Sequence, residues 1–189
     1  MDALMVLTAD HNRVRGLFAR FQAAEESKDV AEMTGLATKI LQELDVHTAI
    51  EEQVFYPAIS EADEEIHEVV VEGVEEHHVV KRLADEIEAL PADDEAWAAK
   101  MKVLIENVEH HAEEEEQELF PQVKKALDAD VLADLGAQLE SLKAELGAPT
   151  AADKESLTTE ELHELAKEQE IPGRSGMNRD ELVATVAPE

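Results

Sequence analysis

The sequence predicts an all-α fold: an up-down-up-down four-helix bundle, an extra helix packed on it, and a small helix-extended-loop-helix module. Three observations lead there. Apolar residues recur at three- and four-residue steps almost throughout, β-branched alternation is absent, and only 7 Gly and 6 Pro interrupt 189 residues. Short breaks between long periodic stretches favour antiparallel neighbours.

The first stripe runs Leu4, Leu7, His11, Val14, Phe18 and Phe21, in a helix expected to end near Glu26 and Ser27. A second carries Leu36, Ile40, Leu44, His47, Glu51, Val54, Phe55 and Ala58, with Pro57 placed to kink or end it. The third presents Val69, Val70, Gly73, His77, Val80, Leu83, Ile87 and Leu90 before Pro91 breaks it. The fourth presents Met101, Leu104, Ile105, Val108, His111, Ala112, Glu115 and Leu119, with Trp97 packing near its start. After Pro121 the period resumes through Val131, Leu132, Leu135, Leu139, Leu142 and Leu146 and stops at Gly147. This divides the chain into a bundle plus extra helix over 1–147, a linker over 148–156 and a module over 157–189. In the module, Thr158 with Glu161 and Asn178 with Glu181 are spaced as capping boxes.

Composition narrows the function. With 46 Asp and Glu against 16 Lys and Arg, the formal charge is −30, a surface that repels nucleic acid and anionic membranes. Apolar residues, at 44%, are enough for a core. No cysteine is present, which excludes disulfides, thiolate metal sites and cysteine nucleophiles and fits a reducing compartment. Any metal must sit on nitrogen and oxygen. The N-terminus MDALMVLTAD has no basic flank or cleavage site, and no apolar run approaches the roughly 18 residues of a membrane span, so a cytoplasmic protein is expected.

Each of the four bundle stripes is interrupted by a histidine. Two interruptions are His-x-x-x-Glu pairs, His47 with Glu51 and His111 with Glu115, whose spacing stacks imidazole and carboxylate on one helix face. His77 shares its line with Val70, Gly73 and Val80, whereas His78 faces Lys81, Arg82 and Asp85, so His77 points inward. By the same test His111 is inward and His110 is not. The bundle centre is thus expected to gather His11, His47, Glu51, His77, His111 and Glu115 with no lysine or arginine nearby. Buried charge without a partner costs several kcal/mol per ion, and a metal supplies the partner. Imidazole with carboxylate admits Fe, Zn, Mn or Ni, and six ligands with two carboxylates able to bridge argue for two ions.

The order His, His-x-x-x-Glu, His, His-x-x-x-Glu, in the contexts Asp10-His11, Glu51-Glu52-Gln53-Val54-Phe55-Tyr56-Pro57, Glu76-His77 and His111 through Phe120-Pro121, resembles the hemerythrin (HHE cation-binding) family over about residues 1–127. It looks closest to the bacterial hemerythrin-like proteins. The resemblance implies a non-heme di-iron site, oxo- or hydroxo-bridged, with Glu51 and Glu115 bridging and His11, His47, His77 and His111 ligating. It departs from the oxygen carriers, which have a histidine one turn before the third-helix ligand, where this chain has Gly73. Fewer nitrogens leave more open positions, which favours reaction with peroxide or oxygen, catalase-like or ferroxidase-like, over reversible oxygen storage. A sensor of oxygen, nitric oxide or iron is the second reading, an iron store the third, and a metal-free bundle the bland one.

Two further features have paired readings. Tyr56, five residues after Glu51, reaches the metals if the helix distorts near Pro57, and otherwise is a helix-end aromatic with its hydroxyl in water. The run Glu113 to Glu118 is a solvated face apart from Glu115, or a field that concentrates cations for iron uptake. His67 and His163 read as surface residues. The stretch from Leu157 to Leu182 resembles the N-terminal module of Rho termination factor, related to SAP modules, which implies nucleic-acid binding. Residues 148–189 carry ten acids against Lys154, Lys167, Arg174 and Arg179, so weak or no binding is expected and a protein contact is favoured.

Overall fold

The computed structural model describes residues 1–148, 159–169 and 171–186. The bundle is formed by α1 (Ala3–Ser27), α2 (Val30–Ile50), α3 (Glu64–Glu88) and α4 (Glu95–Glu114). Aspartates start all four. Asp2, Asp29, Asp63 and Asp94 sit just before each first turn and accept a hydrogen bond from the backbone N–H of Met5, Glu32, Glu65 and Ala96, satisfying one of the free donors a helix start exposes. Lys28, in the left-handed region, closes α1 by donating its N–H to the carbonyls of Ala24 and Glu25.

α1 packs on α2 and α3 on α4, and the extra helix α5 (Ala129–Glu145) lies against α1 and the chain following α2. The core falls into two apolar clusters with the polar layer between them. Toward one end Phe18, Phe21, Ile40, Leu44, Trp97, Met101 and Leu104 pack together. Toward the other are Leu7, Ile50, Phe55, Ile66, Leu119 and Val123, with Leu132, Leu135 and Leu139 of α5. Trp97 lies near the start of α4 and its ring centroid is 5.9 Å from that of Phe21. At roughly 1.5–3 kcal/mol for each large apolar side chain removed from water, two such clusters fix the four helices above and below the layer.

The C-terminal module consists of α6 (Thr159–Glu168), a 3-10 turn (Arg174–Gly176) and α7 (Arg179–Thr185) around its own small core of Leu162, Ala166, Ile171, Leu182, Val183 and Val186. The Asn178–Glu181 capping box is present in full. The Thr158 box and the linker lie at or beyond the edge of the described residues. Of the two histidines expected at the surface, His67 is exposed and His163 is half-buried. α7 packs on α1, where Gly16 lets the backbone of Gln169 and Ile171 approach. A Cβ at Gly16 would stand 2.7 Å from the Gln169 carbonyl oxygen.

Candidate metal centre

The helices carrying the two His-Glu pairs do not run straight into their prolines. After α2, residues Glu51–Phe55 form a π-helical turn, and the helix resumes over Tyr56–Ile59. After α4, Glu115–Leu119 do the same before Phe120–Ala126. The prolines explain the change of winding. Pro57 and Pro121 have no N–H, and in an α-helix each ring would strike the carbonyl four residues earlier. Widening the turn moves that carbonyl away, and Tyr56 and Phe120 donate instead to the carbonyls of Glu51 and Glu115, five residues back. With an extra residue in the turn, the glutamate and the aromatic side chain after it both face inward. Glu51, Tyr56, Glu115 and Phe120 are all buried.

Tyr56 therefore does not keep its hydroxyl in water. It donates to Glu115 Oε1 at 3.0 Å and lies 3.4 Å from His111 Nε2. The hydroxyl fits because Gly73 has no side chain: a Cβ there would be 3.0 Å from the Tyr56 oxygen and 3.3 Å from His111 Cε1. The space one turn before His77 is taken by a phenol reaching across from the second helix.

The six expected residues meet in one layer. His11 Nε2 faces His47 Nε2 at 3.1 Å, and His77 Nε2 faces His111 Nε2 at 3.1 Å. Glu51 lies between the pairs, with Oε1 3.3 Å from His47 Nε2 and Oε2 3.3 Å from His77 Nε2. Glu115 Oε2 is 3.2 Å from His11 Nε2 and 3.9 Å from His111 Nε2. The atoms able to ligate a metal form two groups within 4.8 Å, His11, His47, Glu51 and Glu115 in one and Glu51, His77 and His111 in the other, sharing Glu51.

Outside the layer, carboxylates hold the opposite nitrogens of the rings. His11 Nδ1 bonds Glu116 at 2.8 Å, His77 Nδ1 bonds Glu52 at 2.9 Å and His111 Nδ1 bonds Glu76 at 2.6 Å. His47 Nδ1 is 3.7 Å from Asp10 Oδ2. An Nδ1–H given to a carboxylate leaves the Nε2 lone pair pointing inward, the tautomer a metal needs. This donor set fits a pair of cations. Both oxygens of Glu51 and Oε2 of Glu115 are buried without a hydrogen bond, an arrangement costing about 1–3 kcal/mol per group, more when charged.

Burial and the neighbouring Glu115 push the Glu51 carboxyl well above its usual range. Burial lowers His77, aided by the nearby His111, to about 4, and burial also lowers His47. His11 moves the other way, to about 9, because Glu115 and Glu116 outweigh the burial that would lower it. Burial raises the Tyr56 phenol well above its usual value, reinforced by Glu51 and Glu115.

Cations are close by, contrary to the sequence expectation. Asp10 is buried with two of them: Lys143 of α5 at 2.5 Å and Arg13 at 2.5 Å, and Arg13 also reaches Glu43 at 2.8 Å. Burial alone would raise the Asp10 carboxyl, but Lys143 and Arg13 more than reverse this and hold it well below its usual range. Arg15 bonds Glu116 and Lys81 bonds Glu52. These residues sit off the apolar stripes, where periodicity assigns them to solvent. The available signal was a repeated pattern: acid-His-x-x-x-cation occurs as Asp10-His11 with Arg15 and as Glu76-His77 with Lys81. Among the described residues no helix is long and apolar enough to cross a membrane.

Comparison with known proteins agrees with this geometry. The profile of the hemerythrin HHE cation binding domain matches residues 2–123, and that of the Rho termination factor N-terminal domain matches residues 155–187. A protein of Nostoc sp. named DNA nickase is 25% identical over 150 residues, 77% of this chain but 40% of its own length. An uncharacterised protein of Mycobacterium tuberculosis is 32% identical over 124 residues, 64% of this chain and 71% of its own. The crystal structure of an HHE cation binding domain-containing protein from Mycobacterium kansasii superposes with a TM-score of 0.61 at 20% identity, covering 98% of this chain and 99% of that one. The bundle with its polar layer, and the profile that spans it, place this chain in the hemerythrin HHE cation-binding family.

Proposed function

We propose that His11, His47, Glu51, His77, His111 and Glu115 hold two iron ions, bridged by both carboxylates and an oxo or hydroxo group, and that the centre reacts with hydrogen peroxide or oxygen. One observation carries the reading. Four Nε2 atoms converge while three of the Nδ1 atoms are held by carboxylates, and Glu51 presents one unbonded oxygen to each histidine pair. A di-iron pair supplies two-electron redox chemistry and Lewis acidity toward a small oxidant. The chain supplies the rest. A cavity of about 20 Å³ beside the rings, lined by Val14, Leu44, Val80 and Val108 together with Asp10, Glu43, Thr48 and all four histidines, has room for one small molecule. On the other side the Tyr56 hydroxyl, bonded to Glu115, is a proton donor placed within the site. A reducing cytoplasm is the setting in which ferrous iron and a cysteine-free chain fit.

The test begins with metal content per chain by mass spectrometry, comparing the untagged protein with a His47→Ala/His111→Ala variant. Two irons, lost in the variant, are expected, followed by peroxide turnover in the loaded protein alone. Zinc or manganese in place of iron, or fully reversible oxygen binding with no turnover, would falsify the peroxide reading.

The second reading is a sensor of oxygen, nitric oxide or iron, and the packing of the C-terminal module on α1, the helix that carries His11, favours it. Deleting residues 148–189 separates the two, since an enzyme keeps its turnover and a sensor loses its output. The name of the Nostoc relative and the Rho-type module both raise nucleic acid. With a formal charge of −30 the expected result is no nicking and weak or no retardation in a gel at physiological salt.

A further inference from the structure

Three of the four inward-facing histidines have their outer nitrogen held by a glutamate, and the fourth, His47, is left without such a partner. His47 is 7% exposed and its Nδ1 makes no hydrogen bond. The carboxylate that faces it, Asp10, stops with Oδ2 at 3.7 Å, beyond hydrogen-bond length.

The reason lies in what Asp10 already holds. Its Oδ1 accepts from Lys143 Nζ at 2.5 Å and from Arg13 Nη2 at 2.5 Å, and these two cations seal it inside the protein. Lys143 belongs to α5, the helix outside the bundle, and is 2% exposed despite its charge. The acids behind the other rings are placed differently. Glu116, Glu52 and Glu76 are partly exposed and each bonds its ring directly. A carboxylate that accepts the Nδ1–H of a metal-binding imidazole makes the ring a stronger donor at Nε2. One that is offset by two cations and kept off the ring does so far less.

We infer that Lys143 and Asp10 are positioning residues for His47: by keeping the carboxylate off Nδ1 they make His47 the weakest nitrogen donor of the four, so that the ion on the His11 and His47 side is the more loosely held of the two. This rests on the dinuclear reading above. The ligands all come from the four bundle helices and the turns that follow them, and the inequality among them is imposed from outside by α5. Its packing on α1 thus has a chemical effect as well as a structural one.

The test starts from iron-loaded full-length protein, challenged under anaerobic conditions with increasing amounts of a ferrous chelator, and reads the iron remaining per chain by mass spectrometry. The parent is expected to release its two irons in separate steps. Lys143→Met lets Asp10 turn toward His47, and is expected to need about tenfold more chelator for the first step, the low end of what outer partners contribute to metal affinity. The urea midpoint of the metal-free variant is expected to fall at the same time. A lysine that only held helices together would loosen the metal as it lowered the midpoint. Lys143→Gln, a milder change that keeps a hydrogen bond to Asp10 without the charge, is expected to shift the first step in the same direction by less. Asp10→Asn/Lys143→Met removes the pair as a unit and is expected to return the first step to within about twofold of the parent. Lys81→Met takes the cation from Glu52 behind His77, at a position 42% exposed, and is expected to leave the first step within about twofold. Release in one step by the parent, a first step unmoved or loosened in both Lys143 variants, a double variant as tight as Lys143→Met, or equal tightening in Lys81→Met would each overturn the inference and leave the dinuclear reading standing. A parent protein that binds no iron would overturn both.

Discussion

The half of the centre built on His11 and His47 and the half built on His77 and His111 repeat each other almost side chain for side chain. Each ends in the run His-x-x-x-Glu-Glu-Gln-x-apolar-aromatic-Pro, from His47 to Pro57 and from His111 to Pro121. Each gives a histidine Nδ1 to a glutamate that also holds a cation, Glu116 with Arg15 and Glu52 with Lys81. Each stacks an aromatic ring on a histidine, Phe120 on His11 at 6.0 Å and Tyr56 on His77 at 5.6 Å. They part at three places. Phe120 is matched by Tyr56, Leu7 by Gly73, and the sealed Asp10 by the half-exposed Glu76. What is shared is what holds the rings in place, and what differs gives one half a phenol hydroxyl and a half-exposed carboxylate where the other has an apolar ring and an aspartate paired with two cations.

The most severe way to break the comparison is to remove the residue that belongs to both halves. Glu51→Gln takes a negative charge from between the two histidine pairs, and both irons are expected to be lost together, leaving under a tenth of the parent metal content by mass spectrometry. A variant that kept one iron would show that the halves load independently. Next comes the seal on Asp10. Lys143→Met leaves the buried Asp10 with Arg13 alone, and breaking such a pair costs about 3–5 kcal/mol, read as a lower urea midpoint. Glu76→Gln, its counterpart on the exposed side, is expected to cost about 1 kcal/mol.

Tyr56→Phe sharpens the comparison by making the aromatic pair alike. The loss of one hydrogen bond is expected to change stability by about 1 kcal/mol and to leave two irons bound, while peroxide turnover falls. Phe120→Tyr alone should not restore it, because the position one turn before His11 is the buried Leu7, whereas the one before His77 is Gly73, whose missing side chain makes room for the Tyr56 hydroxyl. The smallest effect is expected outside the centre. Gly16→Ala puts a methyl against the Gln169 carbonyl oxygen and Ile171 Cδ1, and should loosen the C-terminal module by about 1 kcal/mol. Faster proteolysis within the module, with unchanged metal content, is the readout.

The fold was legible because its determinants are periodic. The four stripes, among them Leu4 to Phe21 and Met101 to Leu119, marked the buried faces, and six polar residues on those four faces could not be explained by packing. The inward choice of His77 over His78 and of His111 over His110 followed from their neighbours alone. Residues that work from the flank of a stripe escaped this reasoning. Glu52, Glu76 and Glu116 look like solvent-facing charges, and nothing local says that Lys143 returns from the fifth helix to Asp10 across 133 residues of chain. Tyr56 was ambiguous for a different reason: its direction depends on how the turn before Pro57 is wound, and an ideal helical wheel assumes the winding it would have to predict.

That winding has a consequence for how the chain tolerates change. A π-turn is an α-helix with one residue too many, and here each surplus residue lies between a buried glutamate and a proline. The arrangement of the centre is therefore carried by a count of residues as well as by their identities. Adding one more residue between Glu51 and Pro57 would exceed the single surplus that the π-turn absorbs and swing Tyr56 by about 100° out of the layer, although every candidate ligand would still be present. Substitutions anywhere in that turn keep the count, so length is the property of the segment least free to drift.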